Sequence, residues 1–117
     1  MAIEQGELFW HNFGPRNNHL QEGLRPALVV QSNALNRLDR YPNVIIVPLT
    51  TRHRPSATYV AIEPSPSNEL ERTSYAIGNQ IFTMDKGDLG EPIGSMSSQE
   101  LFLVKRALKI SLGIELH

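Results

Sequence analysis

Four apolar residues in succession, Ala27-Leu28-Val29-Val30, stand directly after an arginine and a proline, and they restrict the chain more than any other stretch. They do not alternate with polar residues, which predicts a central strand covered on both faces. Pro26 disfavours the α region for Arg25, so the arginine joins the strand already extended. A proline is acceptable as a strand's first residue, because the ladder has not begun there. Gly23 to Gln31 therefore predicts a buried, rigid strand with one guanidinium at its mouth. A planar, permanently charged fork on a fixed base suits phosphate recognition. Pairing with a surface carboxylate is the other use of such an arginine.

At 117 residues the chain is expected to form one domain, 1–117, large enough to bury a single core. Hydrophobic residues make up 40% and charged residues 20%, a balance that excludes a disordered protein. No apolar run approaches the roughly 20 residues needed to cross a bilayer, and Met1 to Gly6 lacks the basic and apolar regions of a signal peptide. A cytoplasmic location without membrane association is the expectation. Cysteine is absent, which excludes disulfides and thiolate metal sites. His11, His19, His53 and His117 follow no metal-ligand spacing, so neither metal nor cofactor is expected.

The net charge of −1 hides an asymmetry. Residues 1–54 carry six basic residues, all arginine (Arg16, Arg25, Arg37, Arg40, Arg52, Arg54), against four acids, whereas residues 55–117 carry five basic residues against eight acids. A purely guanidinium first half favours phosphate contact on that side, although so small an excess also fits a solvated surface.

Gly6 to Phe13 predicts the first strand, rich in Leu8, Phe9, Trp10 and Phe13. Gly14 to Gly23 reads as a long loop carrying Arg16, His19 and Gln21 to the mouth of the central strand. Beyond Gln31 a short irregular connection is expected. Asn43 to Thr50 is the next strand, and Pro48 within it implies an edge position or a bulge. Arg52-His53-Arg54-Pro55-Ser56 reads as a basic loop, and Thr58 to Ile62 as a strand. Ser74 to Thr83 predicts a further strand, with Gly78 as a bulge or close-approach site. Asp85 to Leu89 reads as a turn or single helical turn, and Pro92 to Met96 as a short last strand. Ser97 and Glu100 form a capping box. The helix they open has a stripe at Leu101, Val104, Leu108 and Leu112, and Gly113 ends it. Five to seven short strands and one C-terminal helix predict a mainly β fold, a small barrel capped by that helix. Phe102, Leu103 and Ile110 lie off the stripe and call for a partner surface, predicting a homodimer.

In order and spacing, these segments resemble the MazF/PemK family of toxin endoribonucleases from Gly6 to Ile114. The resemblance is carried by Gly6-Glu7-Leu8, Pro15, Gln21, Gly23, Arg25-Pro26-Ala27-Leu28-Val29-Val30, Asn36-Arg37, Val47-Pro48-Leu49-Thr50, Gln80-Ile81, Thr83-Met84-Asp85-Lys86 and Ile110-Ser111-Leu112-Gly113. It implies an SH3-like barrel, a homodimer, metal-independent cleavage of single-stranded RNA at short sequences, and neutralisation by a cognate antitoxin. In such enzymes the 2′-hydroxyl attacks the adjacent phosphorus, leaving a 2′,3′-cyclic phosphate and a 5′-hydroxyl. The resemblance implies three catalytic residues: Arg25 as the family's arginine, Thr50 as its threonine and His19 as the loop histidine of PemK-type members. Arg16, Gln21, Arg52, Arg54, Asn79 and Gln80 are the candidate RNA-binding residues.

The sequence also departs from the family pattern. Asn79 stands where many members have an acid, Ile77 where PemK-type members have an arginine, Leu20 in place of a glutamate and Phe82 in place of a basic residue. Asn79 cannot serve as a base, which excludes an Asp/Arg pair on that strand. Two other functions compete: a catalytically silent RNA- or peptide-binding barrel, and a gyrase poison of the CcdB kind. The latter needs a Trp-Gly-Ile ending, whereas this chain ends Leu112-Gly113-Ile114-Glu115-Leu116-His117 and its one tryptophan is Trp10.

Overall fold

Arg25-Pro26 does open a buried strand. In the computed structural model, which describes residues 3–15 and 23–115, strand β2 (Leu24–Val29) lies between β1 (Glu7–Asn12) and β3 (Asn43–Thr50), antiparallel to both. Ala27, Leu28 and Val29 are fully buried. Alternation sends them to opposite faces. Leu28 packs with Leu8, Val47, Leu49, Ala76 and Val104, and Ala27 and Val29 pack with Ile3, Phe9, Val44, Ile46 and Leu89. Each fully buried large side chain contributes roughly 1.5–3 kcal/mol relative to exposure.

The remaining strands are β4 (Tyr59–Ile62), β5 (Ser74–Ile77), β6 (Phe82–Asp85) and β7 (Pro92–Ser95). All pairs are antiparallel, in the order β4-β5-β3-β2-β1-β7, with β6 also on β3. The result is a mainly β fold, a curled antiparallel half-barrel of the SH3-like kind with one long C-terminal helix. The connection expected to be irregular contains a one-turn helix, α1 (Asn33–Asn36), capped by Ser32. Asn36 is buried there: its amide donates to Gln31 O at 2.9 Å and accepts from Gln31 Nε2 at 3.0 Å. A single 3-10 turn, Lys86–Asp88, follows β6, as Asp85 to Leu89 predicts.

The stretch expected as one strand, Ser74 to Thr83, is two. Leu49 pairs with Ala76 in one register and Ile46 with Phe82 in the other, an offset of three residues taken up at Gly78 to Ile81. Pro48 explains the site of the break. Ile45 O accepts from Val30 N at 3.0 Å, so odd-numbered residues of β3 turn their backbone groups to β2 and even-numbered ones to the other edge. The donor that Pro48 lacks thus falls in the gap between β5 and β6, and β3 need not be an edge strand.

Helix α2 (Ser98–Leu112) starts with both bonds of the capping box and ends at Gly113 in the left-handed conformation, φ 70°. Val104 and Ala107 are buried, but Leu112 is exposed, contrary to the expected stripe. At about 100° per residue, position 111 lies roughly 20° from position 104 and position 112 roughly 80°. Ser111 therefore continues the buried face, and its Oγ donates to Gly78 O at 2.9 Å. No helix among the described residues is long and apolar enough to cross a membrane.

Helix and sheet meet at Gly78. A Cβ there would lie 2.8 Å from Ala107 Cβ and 3.1 Å from Thr58 O. Gly78→Ala should therefore destabilise the protein by ~1–3 kcal/mol, the usual cost of overpacking. Urea unfolding with an unchanged m-value measures it; an unshifted midpoint would mean that the helix docks loosely.

Candidate active site

Strand registers bring the site together. On β1 and β2, His11 is paired with Arg25. Between β2 and β3, Ala27 pairs with Pro48 and Leu28 with Val47; the same register continued by two residues sets Arg25 opposite Thr50. Thr50 in turn pairs with Tyr75 on β5. His11, Arg25, Thr50 and Tyr75 thus form one row across four strands, on the same face as Phe9 and Ala27.

Within this row Arg25 is exposed. Its Nη1 donates to Leu24 O at 3.1 Å, and the other guanidinium donors make no bond among the described residues. Among the described residues the ion pair is Arg37 with Glu4 at 3.4 Å, and Arg25 has no carboxylate partner there. Thr50 is buried, with 8% exposure. Its Oγ1 accepts from Arg52 N at 3.1 Å, a bond that occupies a lone pair and keeps the hydroxyl proton available. That contact fixes the start of the loop carrying Arg52 and Arg54, both exposed. On the same loop His53 lies against Tyr75, ring centroids 4.9 Å apart.

Two other expected site residues lie in the turn between β5 and β6. Asn79 is exposed and Gln80 half-buried, in the turn where Gln80 N donates to Ile77 O at 3.1 Å. Gly78, which precedes Asn79, packs against Ala107 of α2. Ile77 is buried and Phe82 half-buried, its ring 5.3 Å from that of Phe13. Arg16, His19 and Gln21 lie outside the described residues.

The sequence reading passed over two features. One is His11, which only the β1–β2 register brings to Arg25. The other is a cleft of about 570 Å³ beside Arg25, on the opposite face of the sheet, with Trp10, Leu24, Pro26, Leu49 and Ile93 as apolar lining and Thr51, Glu69, Glu71, Arg72 and Ser74 as polar lining. One wall is held by Asn68, fully buried. Its Oδ1 accepts from Ser65 N and Leu70 N, both at 3.0 Å, and its Nδ2 donates to Glu63 O at 2.9 Å. Only a buried position makes an asparagine in a Ser-Pro-Ser-Asn segment more than a turn residue.

With this geometry, likeness to known proteins becomes specific. The sequence profile of the PemK-like, MazF-like toxins of type II toxin–antitoxin systems matches residues 4–112. The chain belongs to this family. It is 30% identical over 114 residues to the endoribonuclease MazF of Staphylococcus saprophyticus, covering 96% of this chain and 92% of that protein. Among solved structures it is similar to a mycobacterial endoribonuclease in complex with its cognate antitoxin, at TM-score 0.76, 29% identity, and coverage of 99% and 98% of the two chains. MazF from Deinococcus radiodurans matches at TM-score 0.78 and 25% identity, over 97% and 99%.

Proposed function

We propose that this family member cleaves single-stranded RNA at short sequences without metal, in the cytoplasm, and is neutralised by a cognate antitoxin. As a member of its family it is a MazF-like endoribonuclease toxin, a reading favoured over the silent barrel and the gyrase poison. The observation that supports the chemistry best is the row itself: a guanidinium on a rigid strand with no carboxylate partner among the described residues, opposite a threonine hydroxyl.

Cleavage by the 2′-hydroxyl requires a proton acceptor, a proton donor and compensation of charge on the phosphoryl oxygens. Arg25 supplies the last with a planar fork, and Thr50 donates to the same phosphate. His19 in the preceding loop is a proton-transfer group by family resemblance. Arg16, Gln21, Arg52 and Arg54 hold the strand through phosphates and bases. Asn79 and Gln80 contact the RNA from the turn between β5 and β6. Trp10, 40% exposed at the cleft, offers a ring on which an unstacked base can lie.

We also infer a homodimer. Phe102, Leu103, Ile110, Leu112 and Ile114 are all exposed, Phe102 by 65%, more apolar area than one helix normally leaves to water. Light scattering at micromolar concentration should give twice the chain mass; a monomer would remove the idea.

Long single-stranded RNA incubated with the protein in EDTA should yield site-specific fragments with 5′-hydroxyl ends. Uncut RNA would leave only a binding barrel. Arg25→Lys keeps the charge but loses the bidentate fork, and should slow cleavage by roughly 10²–10³, as for the loss of one oxyanion donor. A wild-type rate in a folded Arg25→Lys protein would reduce Arg25 to a surface residue. Replacing Arg52 and Arg54 together with Ala should weaken RNA binding and flatten its dependence on salt, since fewer counterions are released. An unchanged slope would place that loop away from the RNA.

A further inference from the structure

We propose that His11 is a catalytic residue of the RNA-cleaving site, the group that takes the proton from the attacking 2′-hydroxyl. This rests on the endoribonuclease reading above and adds to it a residue that neither sequence pattern nor family resemblance selects. Three observations carry it: the pairing of His11 with Arg25, the way its ring is held, and the ring nitrogen on which this leaves the lone pair.

Directly opposed residues on antiparallel strands share a face, with Cβ atoms about 4.5–5.5 Å apart. His11 is the β1 residue opposed to Arg25. A phosphate held by the Arg25 fork therefore lies within a side chain's reach of the imidazole. The attacking oxygen must approach phosphorus to roughly 3–3.5 Å before reaction, so its proton is released in this same space.

The ring is held on two sides. Nδ1 of His11 lies 3.3 Å from Asp88 O, and Phe13 meets the imidazole edge to face, centroids 4.6 Å apart at 85°. A carbonyl oxygen can only accept, so Nδ1 carries the hydrogen in this contact. Nε2 of the neutral ring is then the lone-pair nitrogen. A backbone carbonyl fixing the tautomer of a half-buried imidazole is how a base is kept ready, whereas His53 rests on an exposed loop against Tyr75 with no hydrogen bond to its ring among the described residues.

In the step itself, His11 Nε2 accepts the 2′-hydroxyl proton as the 2′-oxygen forms its bond to phosphorus. The bond from phosphorus to the 5′-oxygen breaks, its electron pair leaves with that oxygen, and solvent water supplies the proton that makes the 5′-hydroxyl. The imidazolium returns its proton to solvent. Charged groups on the elements packed beside His11 are Arg25 on β2, and Asp88 and Glu91 on the segment that runs along β1, where Trp10 N donates to Glu91 O at 2.9 Å.

The test is the pH–rate profile of RNA cleavage for the wild type, His11→Gln and His11→Ala. Gln keeps a donor toward Asp88 O but cannot titrate. His11→Gln should lose 10²–10⁴ in kcat/KM, the usual worth of a general base. The fall in rate toward acid pH should disappear with it, while affinity for an RNA carrying 2′-deoxyribose at the cleavage point stays unchanged. Added imidazole should restore part of the rate of His11→Ala. If both variants cut at the wild-type rate, or slow without imidazole rescue and keep the acid limb, His11 is no base, and the endoribonuclease reading stands without it. A wild type that cuts no RNA overturns both.

Discussion

Pro48 removes one backbone donor from the middle of the longest strand, and the rest of the sheet is arranged around that gap. Because even-numbered residues of β3 face its outer edge, the lost donor divides that edge between two partners, β6 on the first half and β5 on the second. Three extra residues accumulate between them, in the turn containing Gly78. That turn is where α2 comes closest, with Ala107 against Gly78 and Ser111 bonded to its carbonyl. A single proline thus sets the path of the β5–β6 edge and the seat of the helix.

The other edge of β3 is continuous, and its continuity matters for chemistry. Ala27, Leu28 and Val29 are buried on both faces between β1 and β3, so Arg25 is carried by backbone that burial holds in place. Positioning to a fraction of an ångström is what a rigid strand offers and a loop does not. Loop residues Arg52 and Arg54 are exposed beside it, suited to holding a flexible strand but not to directing a reaction. Thr50 connects the two, with its position set by the strand and its oxygen tied to the loop backbone through Arg52 N.

Local signals in the sequence reached the parts of the fold whose causes are local. The apolar run after Arg25-Pro26, the Ser97/Glu100 capping box and the terminal Gly113 each name their structure through neighbouring residues alone, and of the two readings of Gly78 the close approach is the one found. The helix stripe failed only at its last turn, where Leu112 and Ser111 exchange places because 3.6 residues per turn does not close on a spacing of four. The row of His11, Arg25, Thr50 and Tyr75 was half legible. Arg25 and Thr50 came from family resemblance, but His11 is defined by a pairing register that depends on how β1 and β2 are joined, and no residue near His11 encodes it. Asn79 was suggested by its place in the sequence pattern, and the three-residue offset opposite Pro48 sets it in a turn and not on a strand.

Arg25 stands at the boundary of two faces, and this accounts for the preference for single-stranded substrate on the proposed reading. His11, Arg25 and Thr50 belong to one face of the sheet, while Trp10, Leu24, Pro26 and Leu49 belong to the other and open into the cleft that Arg25 also lines. A nucleotide with its phosphate at the row and its base in the cleft must bend around the mouth of β2. In a duplex the base is stacked and paired, and pulling it free costs a few kcal/mol. In a single strand the base can already be splayed out, and stacking on an exposed ring such as Trp10 is worth roughly 1–3 kcal/mol per base. The division of the site across two faces thus favours an unpaired strand by the cost of unstacking, without any side chain that reads strandedness.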